Sequence, residues 1–113
     1  MAHMSNYLVT DAQIAAAGTF TSAPINIEKA LACAVHLQSI VGAAPDVAFT
    51  YTVSSSREGV FVPGEATISA SRSAASVSDF APEPASWIKI IVTNNNGAAV
   101  VTPTVVLAVQ DSD

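Results

Sequence analysis

Few side chains in this 113-residue chain are of types that do chemistry, and none stands at a spacing that chemistry requires. Outside the first four residues the one imidazole is His36. Serines are abundant, so a Ser–His–acid set can be assembled on paper, yet none sits in a Gly-x-Ser-x-Gly context. His36 falls on the outward parity of a predicted strand, which suits a surface or interface histidine rather than a general base. Glu58, Glu65, Asp79 and Glu83 fall in loop-like segments, and no spacing selects two of them as a glycosidase pair. Calcium needs clustered oxygen ligands, and the tail acids Asp111 and Asp113 do not make such a loop. The single cysteine, Cys33, excludes an internal disulfide and a four-ligand Cys/His zinc site. Among Leu31, Ala32, Ala34 and Val35 it reads as a buried structural thiol. Gly-x-Gly-x-x-Gly is absent. The expectation is therefore no catalytic residue, no cofactor and no metal.

Charge and hydropathy narrow the partners. Nine acids against four bases give a net charge of −5. Lys29, Arg57, Arg72 and Lys89 are scattered, so no basic stripe faces a phosphate backbone, and nucleic acid is not an expected partner. No secretory signal opens the chain and no apolar run approaches the ~20 residues of a membrane span, so no membrane partner is expected either. Charged residues make up 12% of the chain, half the usual share of about a quarter. So few charges predict that part of the surface is covered by a partner.

The elements that would position any site are strands. Val47, Phe49, Tyr51 and Val53 alternate with Ala48, Thr50 and Thr52, the period of a strand with one buried face. Val60–Val62 is a short strand stopped by Pro63-Gly64, with weaker candidates at 67–70 and 75–78. Pro82-Glu83-Pro84 is a stiff extended connection. Behind it, Trp87–Thr93 is β-branched enough for a strand buried on much of both faces. Trp87 is the one aromatic suited to a sugar platform, and its position predicts burial between sheets instead. Asn94-Asn95-Asn96-Gly97 reads as a hairpin turn into a partner strand, Val100–Gln110, with Pro103 pointing to an edge or a bulge. Residues 25–41 carry both helix formers and strict alternation; a strand over about 32–41 is preferred because the surroundings are β.

About seven to eight short strands punctuated by Gly, Pro and Asn describe an all-β protein, an antiparallel β-sandwich of Ig-like or jelly-roll-like type. Residues 1–4 read as a cloning scar, 5–18 as an N-terminal arm, 19–110 as the one domain and 111–113 as a tail.

Two stretches carry a family resemblance. The run Ser22-Ala23-Pro24-Ile25-Asn26-Ile27, a strand ending at Gly42, then Phe49–Ser54 and Gly59–Val62, resembles small β-sandwich virion structural proteins of tailed bacteriophages. Phe80-Ala81-Pro82-Glu83-Pro84-Ala85-Ser86-Trp87-Ile88-Lys89-Ile90, followed by Val92-Thr93-Asn94, is similar to the same group. The turn Ser54–Gly59 is longer than that group's Ser-x-Asp-Gly pattern, so no site residue is carried over. The resemblance implies a non-enzymatic virion component on the outer surface of the phage head, a capsid decoration (cement) protein or a fibre module. Its expected partners are the major capsid protein lattice and further copies of itself, with a trimer favoured because decoration sites often sit on lattice threefold axes. A carbohydrate- or receptor-binding module on the same sandwich is the alternative, with a glycan as partner. The candidate interface residues are Tyr7, Leu8 and Val9 in the arm and Val100, Thr102, Thr104 and Val106 in the uncharged last strand.

Overall fold

The computed structural model describes residues 3–111. Alternating apolar residues set the strands, and their order sets the layers. In chain order these are β1 His3–Thr10, β2 Thr19–Thr21, β3 Ile25–Asn26, β4 Ala30–Gly42 and β5 Val47–Ser54. They continue with β6 Val62–Pro63, β7 Ser69–Arg72, β8 Ser76–Phe80, β9 Trp87–Asn94 and β10 Val101–Asp111. One sheet runs β1-β10-β4-β8. The other runs β2-β9-β5-β6, with β3 also on β9 and β7 also on β5. The pieces β2 and β3 share one lane beside β9, and β6 and β7 share one lane beside β5. The described strands thus fill eight lanes, all antiparallel, with the first lane beside the last: a jelly-roll sandwich.

The core lies between the sheets. Cys33, Val35 and Leu37 of β4, Val47, Phe49, Tyr51 and Val53 of β5, Ile88, Ile90 and Val92 of β9, and Val101, Val105, Leu107 and Val109 of β10 are all buried. Each such side chain contributes about 1.5–3 kcal/mol on leaving water. The preferred strand reading of 32–41 holds, since β4 spans Ala30–Gly42. Gly42 ends it at φ +155, where a Cβ would stand 2.8 Å from the Val100 carbonyl oxygen, so glycine alone fits the corner.

Four expectations are corrected. Asn94–Gly97 is not a hairpin, because β9 and β10 belong to different sheets and the segment crosses between them. β10 is not an edge; it lies between β1 and β4. Pro103 fits there because Val101 turns its backbone groups toward Ile14, on the β1 side, and two residues on Pro103 faces that side beyond the end of β1, whose pairing stops at Thr10↔Val105. The missing N–H therefore costs no ladder bond. Residues 5–10, expected in an arm, pair along β10 as β1. Met1, Ala2, Ser112 and Asp113, in the expected scar and tail, lie outside the described residues. Finally, only Val62 of the expected strand 60–62 enters the ladder, opposite Val53.

Candidate functional site

The two sheets present two outer faces, and the register shows what each carries. On the four-stranded sheet, Leu8 stands opposite Val106, Val106 opposite His36 and His36 opposite Val77. One row thus crosses all four strands, with Leu8 60% and Val77 59% exposed at its ends and Val106 and His36 half-buried between. The next row reads Asn6, Ala108, Ala34, Asp79, and the one beyond it Met4, Gln110, Ala32. On the other side of the central row lie Thr104 opposite Ser39 and Thr102 opposite Val41, the last 68% exposed. Asp79, at the β8 margin, is the one carboxylate in these rows, which hold no lysine or arginine and the single imidazole of His36. A β-bulge at Val9 and another at Gln38 break the register at one end of the central row, while Met4–Leu8 is regular.

The candidate interface residues divide accordingly. Leu8, Thr102, Thr104 and Val106 lie on this face. Val9 is buried in the bulge, and Val100 sits exposed in the crossover before β10. Tyr7 pairs with the inward-facing Leu107 and lines a cleft of about 300 Å³ with Asn26, Glu28, Lys29 and Asp111. Missing from the sequence-derived set were Met4, Ala32, Ala34, His36 and Val77. Their signal was available as the parity opposite to Cys33, Val35, Leu37, Ser78 and Phe80, but it acquires meaning only once β4 and β8 share a sheet.

The outer face of the six-stranded sheet is different. Trp87 is half-buried there on the parity of Lys89 and Ile91, opposite Ser54, which corrects its expected burial between the sheets. The Arg57 guanidinium lies 5.9 Å from the centre of its ring, and Lys89 Nζ lies 4.4 Å from the centre of the Phe61 ring. Ala48, Thr50, Thr52 and Thr93 fill the rest of these rows on β5 and β9.

The loops are tied by a few polar side chains. Asn94 is buried and shares its Nδ2 hydrogens among the carbonyls of Ile14 (3.3 Å), Ala15 (3.1 Å) and Ala99 (2.9 Å), while its Oδ1 accepts from the Asn96 amide. Asn96 in turn donates to Ala43 and Ala44, and Asn95 to Asp46. Ala17 and Ala44 hold positive φ here, at 58° and 47°. A non-glycine residue reaches this region at a cost of about 1–2 kcal/mol, which these bonds offset. At the opposite end the Tyr51 hydroxyl donates to Glu83 Oε1 and accepts from the Ala66 amide, and Glu83 Oε2 accepts from the Glu65 amide. The Tyr51 bond holds the Glu83 carboxyl below its ordinary range, and burial followed by that bond raises the Tyr51 phenol. The Tyr51 ring lies on Gly64, where a Cβ would come within 2.0 Å of it.

No arrangement for catalysis emerges from the described residues. A cleft of about 480 Å³ between 27–30 and 82–86 has Glu28 and Glu83 as its ionisable lining, with neither a cation nor a histidine. Among the described residues no group of three His, Cys, Asp or Glu stands close enough to hold a metal. Cys33 is buried, its thiol pushed up to about 11 by burial and then by the charge of Asp111, so it is a core group rather than a nucleophile.

No protein-family model and no curated protein matches the sequence. Solved structures do share its fold. The SPBc2 prophage-derived protein YomS is similar at TM-score 0.56 and 14% identity, over 98% of this chain and 96% of that one. A protein in the structure of the Gx strain of infectious bursal disease virus reaches TM-score 0.61 at 12% identity, over 97% of this chain and 32% of that one. The PBSX exported protein XepA reaches 0.57 at 10% identity, over 96% and 38%. This chain therefore spans about a third of the viral and XepA chains and nearly all of YomS.

Proposed function

We propose that the chain is a non-enzymatic structural component of a phage virion, a capsid decoration protein that docks on the outside of the head through the outer face of its four-stranded sheet. The row Leu8–Val106–His36–Val77 carries this reading: three apolar side chains and one imidazole, exposed at both ends, across a face whose rows hold a single formal charge, on a chain of net charge −5. The four strands, of 8, 11, 13 and 5 residues and about 4.8 Å apart, present roughly 590 Å², at the low end of the ~600–1,000 Å² each partner gives to a stable interface. The likeness of the fold to a prophage-derived chain of similar length supports a phage context, although one fold hosts many functions. The partner is a flat, weakly charged patch of the major capsid protein.

The test is co-sedimentation of the purified chain with undecorated heads of its source phage. Saturable binding that raises the temperature at which the heads rupture is expected. Binding that is absent at micromolar protein ends the reading.

The outward Trp87 is the observation in favour of the second reading, a glycan-binding module. Its ring is already covered by Arg57, and neither cleft described above is lined by a tryptophan. Retardation of the protein in polysaccharide-containing gels, lost in Trp87→Ala, would replace the decoration reading with this one.

A further inference from the structure

We propose that the free edge of β1 is a self-association site, pairing antiparallel with β1 of a second copy about a twofold axis near Asn6. β1 pairs with β10 on one side only. Val101 exchanges both backbone bonds with Ile14 on that side of β10. The two-residue period carries the same orientation to Val105, Leu107 and Val109, so their partners Thr10, Tyr7 and Ser5 direct their backbone groups at β10. Met4, Asn6 and Leu8 then turn their N–H and C=O groups outward, with no strand beyond them among the described residues.

Edges of this kind are normally guarded by charge, proline or a bulge. β1 has neither charge nor proline, and its bulge at Val9 leaves Met4–Leu8 straight. The occupant follows from self-complementarity. A register that sets Asn6 opposite its own copy sets Met4 opposite Leu8 of the other chain, and every outward group of the three residues finds a partner. Isologous pairing of this kind closes after two copies. It also joins the two four-stranded sheets into one, so that each apolar row continues from Leu8 onto Met4 of the other copy. The resemblance to decoration proteins favoured a trimer; the geometry of this edge points to a dimer. The inference is independent of docking to a capsid: if head binding fails while the dimer stands, the decoration reading alone falls.

Sedimentation equilibrium of the full chain at micromolar concentration tests it. A mass of twice 11.5 kDa is expected. Asn6→Pro removes an outward N–H without breaking a bond to β10, and Asn6→Lys places a charge on the axis; both are expected at 11.5 kDa with the far-UV spectrum of the parent. Because Cys33 is buried, Asn6→Cys gives a clean third measurement. Cα atoms of a hydrogen-bonded pair lie about 5.5 Å apart, within disulfide reach, so mild oxidation yields a covalent dimer while Thr50→Cys on the other sheet stays single. A monomeric parent overturns the proposal. So does a dimer that survives both Asn6→Pro and Asn6→Lys and is not trapped by Asn6→Cys.

Discussion

The two outer faces of the sandwich solve the same problem in opposite ways. Both expose apolar side chains from strands whose other parity fills the core. On the six-stranded sheet the rings are finished for water by the chain's own cations: Arg57 lies over Trp87 and Lys89 over Phe61, which uses two of its four basic residues. On the four-stranded sheet Leu8, Val41 and Val77 stand 59–68% exposed with no lysine or arginine in the rows beside them. Amphipathic side chains can cover apolar surface, and on the proposed reading their absence from the four-stranded sheet leaves that face for the capsid. The six-stranded side also carries the Tyr51–Glu83 tie, and its strand β9 ends in the Asn94 hub. The difference therefore separates a side tied down by its own polar and charged side chains from one whose outer apolar side chains have no such cover.

The largest effect is expected at the hub. Asn94→Ala leaves the Ala99 carbonyl and the Asn96 amide without a partner in a buried corner, while the Ile14 and Ala15 carbonyls lose one donor each and keep the Val101 and Gly18 amides. Each unsatisfied buried group costs ~1–3 kcal/mol, so urea unfolding should show a loss of about 3 kcal/mol or more. A loss below ~1 kcal/mol would mean that the crossover holds itself and that the two faces do not differ in their contribution to stability.

Val106→Lys comes next and acts on the other side of the comparison. A lysine in the middle of the apolar row is solvated in the free protein, so unfolding stability should stay within ~1 kcal/mol. At a covered interface it becomes a buried unpaired charge, and head binding should fall on the order of 100-fold or more. Thr50→Lys, an equally outward position on the six-stranded sheet, should leave binding unchanged. Equal losses from both variants would erase the distinction between the faces.

Trp87→Ala should lower stability by about 1–2 kcal/mol and leave head binding alone. The figure is below the 3–5 kcal/mol typical of a fully buried tryptophan because the ring is half-exposed and covered on one face by Arg57. A drop of 4 kcal/mol or more would return Trp87 to the core role that its position in the sequence suggested.

These residues also show where the sequence is readable. Alternation at 47–53 and 101–109 names the inward side chains, because burial on one face leaves a local period of two. It does not say which strands are neighbours. Asn94–Gly97 has the composition of a tight turn, yet positive φ falls on Ala17, Gly42 and Ala44, and the asparagines serve as hydrogen-bond donors and acceptors across three loops. Pro103 marks a strand whose N–H is not needed, which an edge supplies and a shortened neighbour supplies equally well. Trp87 begins an apolar run, and the parity of Ile88, Ile90 and Val92 decided its face against its size. The face at Leu8, Val106, His36 and Val77 joins four segments distant in sequence, so no window of the chain contains it. Only the register brings its parts together.

The smallest effect concerns pH, and it tests whether the six-stranded side is fastened by ionisation as well as packing. Glu83 accepts from Tyr51 and from the Glu65 amide, which favours the carboxylate and holds its titration below the ordinary carboxylate range. A group whose folded-state value is depressed contributes stability that is complete above its unfolded value and is lost as pH falls through the folded one. The tie between the 64–66 loop and the 82–84 turn should therefore weaken on acidification and be unaffected near neutrality. The contribution is small because water screens Glu83. Unfolding curves between pH 7 and pH 3 would show it as a difference between parent and Tyr51→Phe: the variant is less stable near neutrality, and the gap narrows in acid to the part owed to the Ala66 amide. Glu83→Gln should remove the same pH-dependent part. A gap between parent and Tyr51→Phe that stays constant to pH 3 would assign the hydroxyl's part to the bond it accepts from the Ala66 amide, 3.0 Å away, and leave the carboxylate no part in holding the loops.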